Sequence, residues 1–172
     1  MDLRQMHVRL EPNRSVLRLA GTLLVASTLL MAMAVTAPDS SRAAERSRAQ
    51  VTKALIGTWS LKSVAIVNQD GDAIGSPYKD PVGKLTYTKR GDMWAFVGER
   101  DRGTGLETWY TGTFSVRPKA KEVAHHVEFS STPRIPEGAD QIRYYSLRKN
   151  RLVLSPDPPT SAFRQELIWT RR

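Results

Sequence analysis

The pattern of apolar and polar positions changes character twice along the chain. Leu19 to Val35 is an apolar run interrupted only by small and hydroxyl residues, and Arg4, Arg9, Arg14 and Arg18 precede it. From Ala49 to Ile56, Val51, Ala54 and Leu55 recur at helical spacing, which predicts a short helix stopped by Gly57. After Gly57 the period falls to two. Thr58 to Val67 places Trp59, Leu61, Ser63, Ala65 and Val67 on one face and Val64 and Ile66 on the other, the pattern of a strand covered on both sides. Seven further strands are expected at Lys84–Thr88, Asp92–Val97, Thr108–Val116, Glu122–Ser130, Asp140–Leu147, Leu152–Ser155 and Gln165–Thr170. Short strands at regular spacing, with no helix between them, predict an antiparallel sandwich or closed barrel.

The connections narrow that choice. Those after the second, fourth and sixth strands are tight: Lys89-Arg90-Gly91, Arg117 to Lys121 and Arg148 to Arg151. Those after the first, third, fifth and seventh, 68–83, 98–107, 131–139 and 156–164, are long and contain most of the glycine and proline. In an up-and-down meander alternate connections fall at the same end, so this sorting predicts a cup with a loop-lined mouth and a cinched base. Closure of the sheet would set the last strand beside the first, bring Trp169 and Arg171 near Trp59, place the short helix at the closed end, and remove exposed edges.

Composition adds a compartment. The arginines, the apolar run and the small residues Ala34, Ala37, Ala43 and Ala44 follow the grammar of a secretory signal. The run falls short of the ~20 residues of a spanning helix, which favours cleavage over anchoring. Residues 1–44 are read as signal peptide and linker, cut somewhere between 34 and 44, with Ser41 to Ser47 a polar linker; residues 45–172 are the folded domain, expected in the periplasm or medium. Setting aside the five Arg and three acidic residues of 1–44 leaves 21 Lys and Arg against 14 Asp and Glu, a net charge of +7 on the domain. That charge is scattered, as on a solvated basic surface, and it also allows weak attraction to anionic lipid. Nucleic acid is a poor partner for an exported protein. Cysteine is absent, so neither a disulfide nor a lipid on an N-terminal cysteine is available.

The residues also resemble a known family. Leu55-Ile56-Gly57-Thr58-Trp59-Ser60-Leu61, then Asp80 to Thr88 with Gly91 and Met93, Tyr110-x-Gly112-Thr113-Phe114, His125-His126-Val127-Glu128-x-Ser130 and Gln141-x-Arg143-Tyr144 are similar, in this order, to the lipocalin-like domain family of bacteria and fungi. The resemblance implies an all-β, eight-stranded antiparallel up-and-down barrel. It leaves activity open, since the family's activity is largely uncharacterised and fold does not give function. Two departures stand out: the 98–107 connection is short, and Pro133 to Gly138 lacks the family's usual Asn-Trp.

The versatile side chains gather in Glu122 to Ser130 and Asp140 to Tyr145. Successive strand residues face opposite ways, so His125 and His126 cannot both look into a cup. By strict alternation His125 shares its face with Val123, Val127 and Phe129, and His126 with Ala124, Glu128 and Ser130. If the polar row faces inward, His126 and Glu128 stand on one wall with Arg143 across from them as an anion-binding fork, and Tyr87, Trp94, Tyr110 and Tyr145 supply aromatic lining. The competing reading is a cross-strand polar ladder that pins register. The leading function is binding of a small apolar or amphipathic, possibly anionic, molecule in the cup. The alternative is an isomerase, cyclase or hydrolase with His126 as acid or base, Glu128 as its orienter and Arg143 holding an oxyanion; a third is a basic surface for anionic lipid or polymer. No cofactor is expected. With two histidines on opposite faces, neither is a metal.

Overall fold

A computed structural model describes residues 40–101 and 105–171. One helix, α1 (Ser40–Leu55), is followed by β1 (Gly57–Asn68), β2 (Ala73–Gly75), β3 (Pro81–Tyr87), β4 (Asp92–Glu99), β5 (Thr108–Arg117), β6 (Glu122–Ser130), β7 (Asp140–Arg148), β8 (Arg151–Ser155) and β9 (Phe163–Arg171). Every neighbouring pair is antiparallel, and β1 also pairs with β9, so eight strands close into an up-and-down barrel with β2 appended to the end of β1. The alternation of side chains in each strand then fills one inside and wets one outside.

The loop sorting holds. The β3–β4, β5–β6 and β7–β8 connections are tight, the second being a 3-10 turn, Pro118–Ala120, closed by Lys121 in the left-handed region with its N–H on the Pro118 carbonyl. The four long connections fall between the other strands, and β2 is the one element among them that the period-two pattern did not mark. It is three residues long and exposed throughout.

The core is a single cluster. Trp59, Leu85, Tyr87, Met93, Val123, Leu152 and Trp169 are almost fully enclosed, with Leu55 from the helix among them. The Trp59 indole N–H donates to the Leu55 carbonyl at 2.9 Å, and the Arg171 guanidinium stacks 4.5 Å over the Trp59 ring while donating to the Ala54 carbonyl. The expected meeting of the first and last strands is thus present, with Leu61 opposite Trp169.

Three local expectations change. The polar stretch read as a linker, Ser41 to Ser47, is helical. Ala43, Ala44, Glu45, Arg46, Arg48 and Gln50 are good helix formers with no Gly or Pro among them, so polarity there marks a solvated helix. The helix also runs through the boundary placed at 44/45. In β1 the alternation slips at Lys62, where the register to β9 shifts, so Val64 joins the core and Ser63 does not. The export-signal reading of residues 1–39 lies outside the described residues.

Candidate functional site

The upper part of the barrel holds a cavity of about 170 Å³. Leu85, Ala95, Val97, Leu154, Leu167 and Trp169 line it from the strands, and Tyr78, Ile135 and Pro156 reach over it from the long connections. Below it Tyr87 and Phe114 pack at 4.6 Å between ring centres, so the lower barrel is solid. Of the open and filled interiors a barrel of this width permits, the chain has both, one above the other.

The mouth loops are tied down by their own hydrogen bonds. Ser76 Oγ takes the Tyr78 N–H and donates to its carbonyl; Glu99, buried at the end of β4, takes the Lys79 N–H at 2.6 Å; and Arg100 pairs with Asp80 at 2.7 Å. On the other side Asp157 takes the Gln165 N–H while Ser155 bonds the Asp157 backbone in both directions. Burial and the nearby Glu99 carboxylate raise the Tyr78 hydroxyl above its usual pKa, keeping it a neutral donor.

Polar groups in the cavity floor are few and ordered. His125, 1% exposed, sits between two tyrosines: its Nε2 is 2.7 Å from Tyr87 Oη and its Nδ1 is 2.7 Å from Tyr110 Oη. Burial, then the Arg143 charge, then His126 hold its pKa well below 6.5, so it is neutral at physiological pH and carries one ring proton. Hydrogen-bond accounting fixes where. Tyr87 is also 1% exposed and has His125 as its one side-chain partner among the described residues. If Nε2 carried the proton, the Tyr87 O–H would be buried with no acceptor, a loss of about 1–3 kcal/mol. Tyr87 therefore donates to Nε2, and Nδ1–H donates to Tyr110. The Tyr110 oxygen is then an acceptor in this chain, which leaves its O–H free at the cavity wall.

Arg143 completes the site. β7 places it on the inner wall, where its Nη1 donates to the Ile142 carbonyl at 2.9 Å and its Nη2 to Gln141 Oε1 at 3.3 Å. Its charge holds the Tyr110 hydroxyl down against the upward pull of burial, and both side chains line the cavity. It forms no ion pair with any carboxylate among the described residues. The indole N–H of Trp169 is likewise buried without a partner among them. A cavity with an apolar wall thus carries a cation and donors, and no compensating anion.

Residues 106–172 match the lipocalin-like domain family. That span runs from just before β5 to the end of β9 and contains Tyr110, His125 and Arg143. No curated protein matches the chain.

The barrel brings together only part of the set read from the sequence. Tyr110 and Arg143 line the cavity, Tyr87 lies beneath it, and Tyr145 follows Arg143 on the inner face of β7, packed against the core. Trp94 is outside, 37% exposed and stacked on Phe96. The inward polar row is corrected: His126 and Glu128 lie on the outer wall, where His126 Nδ1 meets Asp140 Oδ1 at 2.6 Å and Nε2 meets Ser115 Oγ at 2.9 Å. The order Ser–His–Asp is that of a nucleophile and its base, but strand N–H groups lie in the plane of the sheet, so none points outward to hold an oxyanion above Ser115. The arrangement is a cross-strand ladder. Alternation also breaks at Glu128, a bulge opposite Thr111 and Gly112, which turns Phe129 out (60% exposed) and aligns Ser130 with Tyr110. Among the described residues, no group of three His, Asp or Glu side chains is placed to hold a metal.

His125, absent from the candidate set read from the sequence, is the buried histidine that lines the cavity. Its neighbours at spacing two, Val123 and Val127, were the available signal, since an apolar row marks the core face of a strand.

Proposed function

We propose that this protein is an exported binder of a small amphipathic anion, held with its apolar part in the barrel cavity and its charge on Arg143. The observation that carries this reading is a guanidinium with no carboxylate partner among the described residues, on an apolar, partly enclosed wall. A half-buried cation with no carboxylate partner among the described residues is a place where a bound anion adds stability, and the planar fork suits a carboxylate or similar group. Helix α1 and the Trp59–Arg171 stack close the far end, so entry is through the mouth beneath Tyr78, Ile135 and Pro156. The amino-terminal arginines and apolar run support export.

The test is native mass spectrometry of protein purified from the periplasm or medium, before and after denaturation and refolding. A defined adduct that disappears on denaturation and is absent from Arg143→Met is the expected result. An adduct retained by Arg143→Met would remove the anion from the proposal, and the lack of any adduct or thermal shift across small acids and neutral lipophiles would remove the cavity. Arg143→Met without ligand should melt no lower than the natural protein, because the substitution replaces an uncompensated charge with an apolar chain of similar length.

A further inference from the structure

Three features of the cavity define the bound molecule more narrowly than charge and amphipathicity do, on the premise that the cavity is a binding site. The first is size. At about 170 Å³ the enclosed space is close to the roughly 150 Å³ void that accepts benzene in an engineered protein core, and well short of the ~300–1,000 Å³ of sites for drug-sized ligands. A long acyl chain does not fit within it. The second is direction. Tyr87 and His125 form a one-way chain of hydrogen bonds in which Tyr87 gives to Nε2 and Nδ1 gives to Tyr110, so Tyr110 is left with a proton to give and faces the cavity as a donor. The third is convergence. Arg143 and Tyr110 both line this one small space, so a charged donor and a neutral donor face it together while Leu85, Ala95 and Leu154 surround the rest.

We infer that the cavity selects a compact carboxylate of about one ring, its two oxygens shared between the Arg143 guanidinium and the Tyr110 O–H and its ring among the aliphatic side chains. Tyr87 and His125 are positioning residues: their hydrogen-bond chain sets the hydroxyl of Tyr110 to donate. A carboxylate satisfies both donors at once, whereas an alcohol or amide of the same shape leaves the guanidinium unanswered. Loss of a hydrogen bond to a charged group is worth about tenfold or more in affinity.

The experiment is calorimetric titration of the refolded, adduct-free protein with benzoate, benzyl alcohol and decanoate, repeated on Arg143→Met, Tyr110→Phe and the cavity-filling Leu154→Phe. Benzoate should bind at least about tenfold more tightly than benzyl alcohol, and decanoate more weakly than benzoate. Arg143→Met should erase the preference for benzoate. Tyr110→Phe should weaken benzoate more than benzyl alcohol, since the bond lost to a carboxylate is the stronger one. Leu154→Phe, which leaves every polar group in place, should weaken benzoate and benzyl alcohol together. Equal or tighter binding of benzyl alcohol overturns the carboxylate and leaves small-molecule binding standing; tighter binding of decanoate overturns the one-ring limit in the same way. If Tyr110→Phe does not fold, Arg143→Met and Leu154→Phe still decide charge and size. Binding of none of the three overturns this inference; the adduct experiment above then decides whether the broader reading survives.

Discussion

At the scale of single residues, His125 shows how a titratable group can be made permanently neutral. Both ring nitrogens are occupied by tyrosine oxygens and the ring is sealed from water, so adding a proton would break the bond from Tyr87 and bury a charge beside Arg143. Its folded-state pKa is lowered, so as pH falls the unfolded chain takes up a proton first. The contribution of His125 to stability is therefore complete above about pH 6.5 and is lost as pH drops below it. His125→Phe should be destabilising at pH 7.5 by about 2–5 kcal/mol, since two buried hydroxyls lose their partner. The gap in urea midpoint between it and the natural protein should narrow at pH 5.5; a constant gap would mean that the histidine titrates normally. This residue was half legible from sequence. Period two placed His125 and His126 on opposite faces, and the apolar partners Val123 and Val127 mark the face of His125 as the core, whereas the polar partners of His126 are those of a solvated wall.

Elements show where alternation alone fails. In β6 the extra residue Glu128 lets Ser130 rejoin the inner face, and it does so against Gly112, where any Cβ would collide with the His126 carbonyl oxygen. Gly112→Ala should therefore cost about 1–3 kcal/mol in denaturant titration although it adds a single carbon. Sequence carries no sign of such a bulge: one strand gains a residue, and the accommodation is a glycine on its neighbour. The outer ladder of the same strand predicts the opposite. His126→Ala removes exposed partners only, so it should cost less than about 1 kcal/mol and leave ligand affinity unchanged; loss of binding would restore His126 to the site. The helix divides in the same manner. Leu55 is fully enclosed whereas residues 40–50 are exposed or half-buried, so Leu55→Ala should cost about 2–5 kcal/mol and removal of residues 40–47 almost nothing.

For the molecule as a whole, the architecture was legible because loop lengths alternate. Three tight and four long connections are a property of spacing, which survives every local slip of register. The cavity was not legible, because whether an inner wall is packed or open depends on side chains from all eight strands at one height. That height is reported by a natural probe. Of the four tryptophans, Trp94 and Trp109 stand on the outside, Trp59 is at the base and Trp169 alone lines the cavity. Ligand binding should change the emission spectrum, and Trp169→Phe should abolish the change while preserving the fold by circular dichroism.

The pairing of β1 with β9 has a consequence in time. These are the first and last strands of the fold, and they share the longest ladder in the barrel, from Trp59 opposite Arg171 to Asn68 opposite Phe163. No partial chain can close: until Phe163 to Arg171 has emerged, β1 and β8 each present a bare edge able to pair with another molecule. Folding of this barrel is therefore a single late event that waits for the last strand. That delay makes the nine residues of β9 the step at which a nascent molecule either becomes a closed barrel or aggregates.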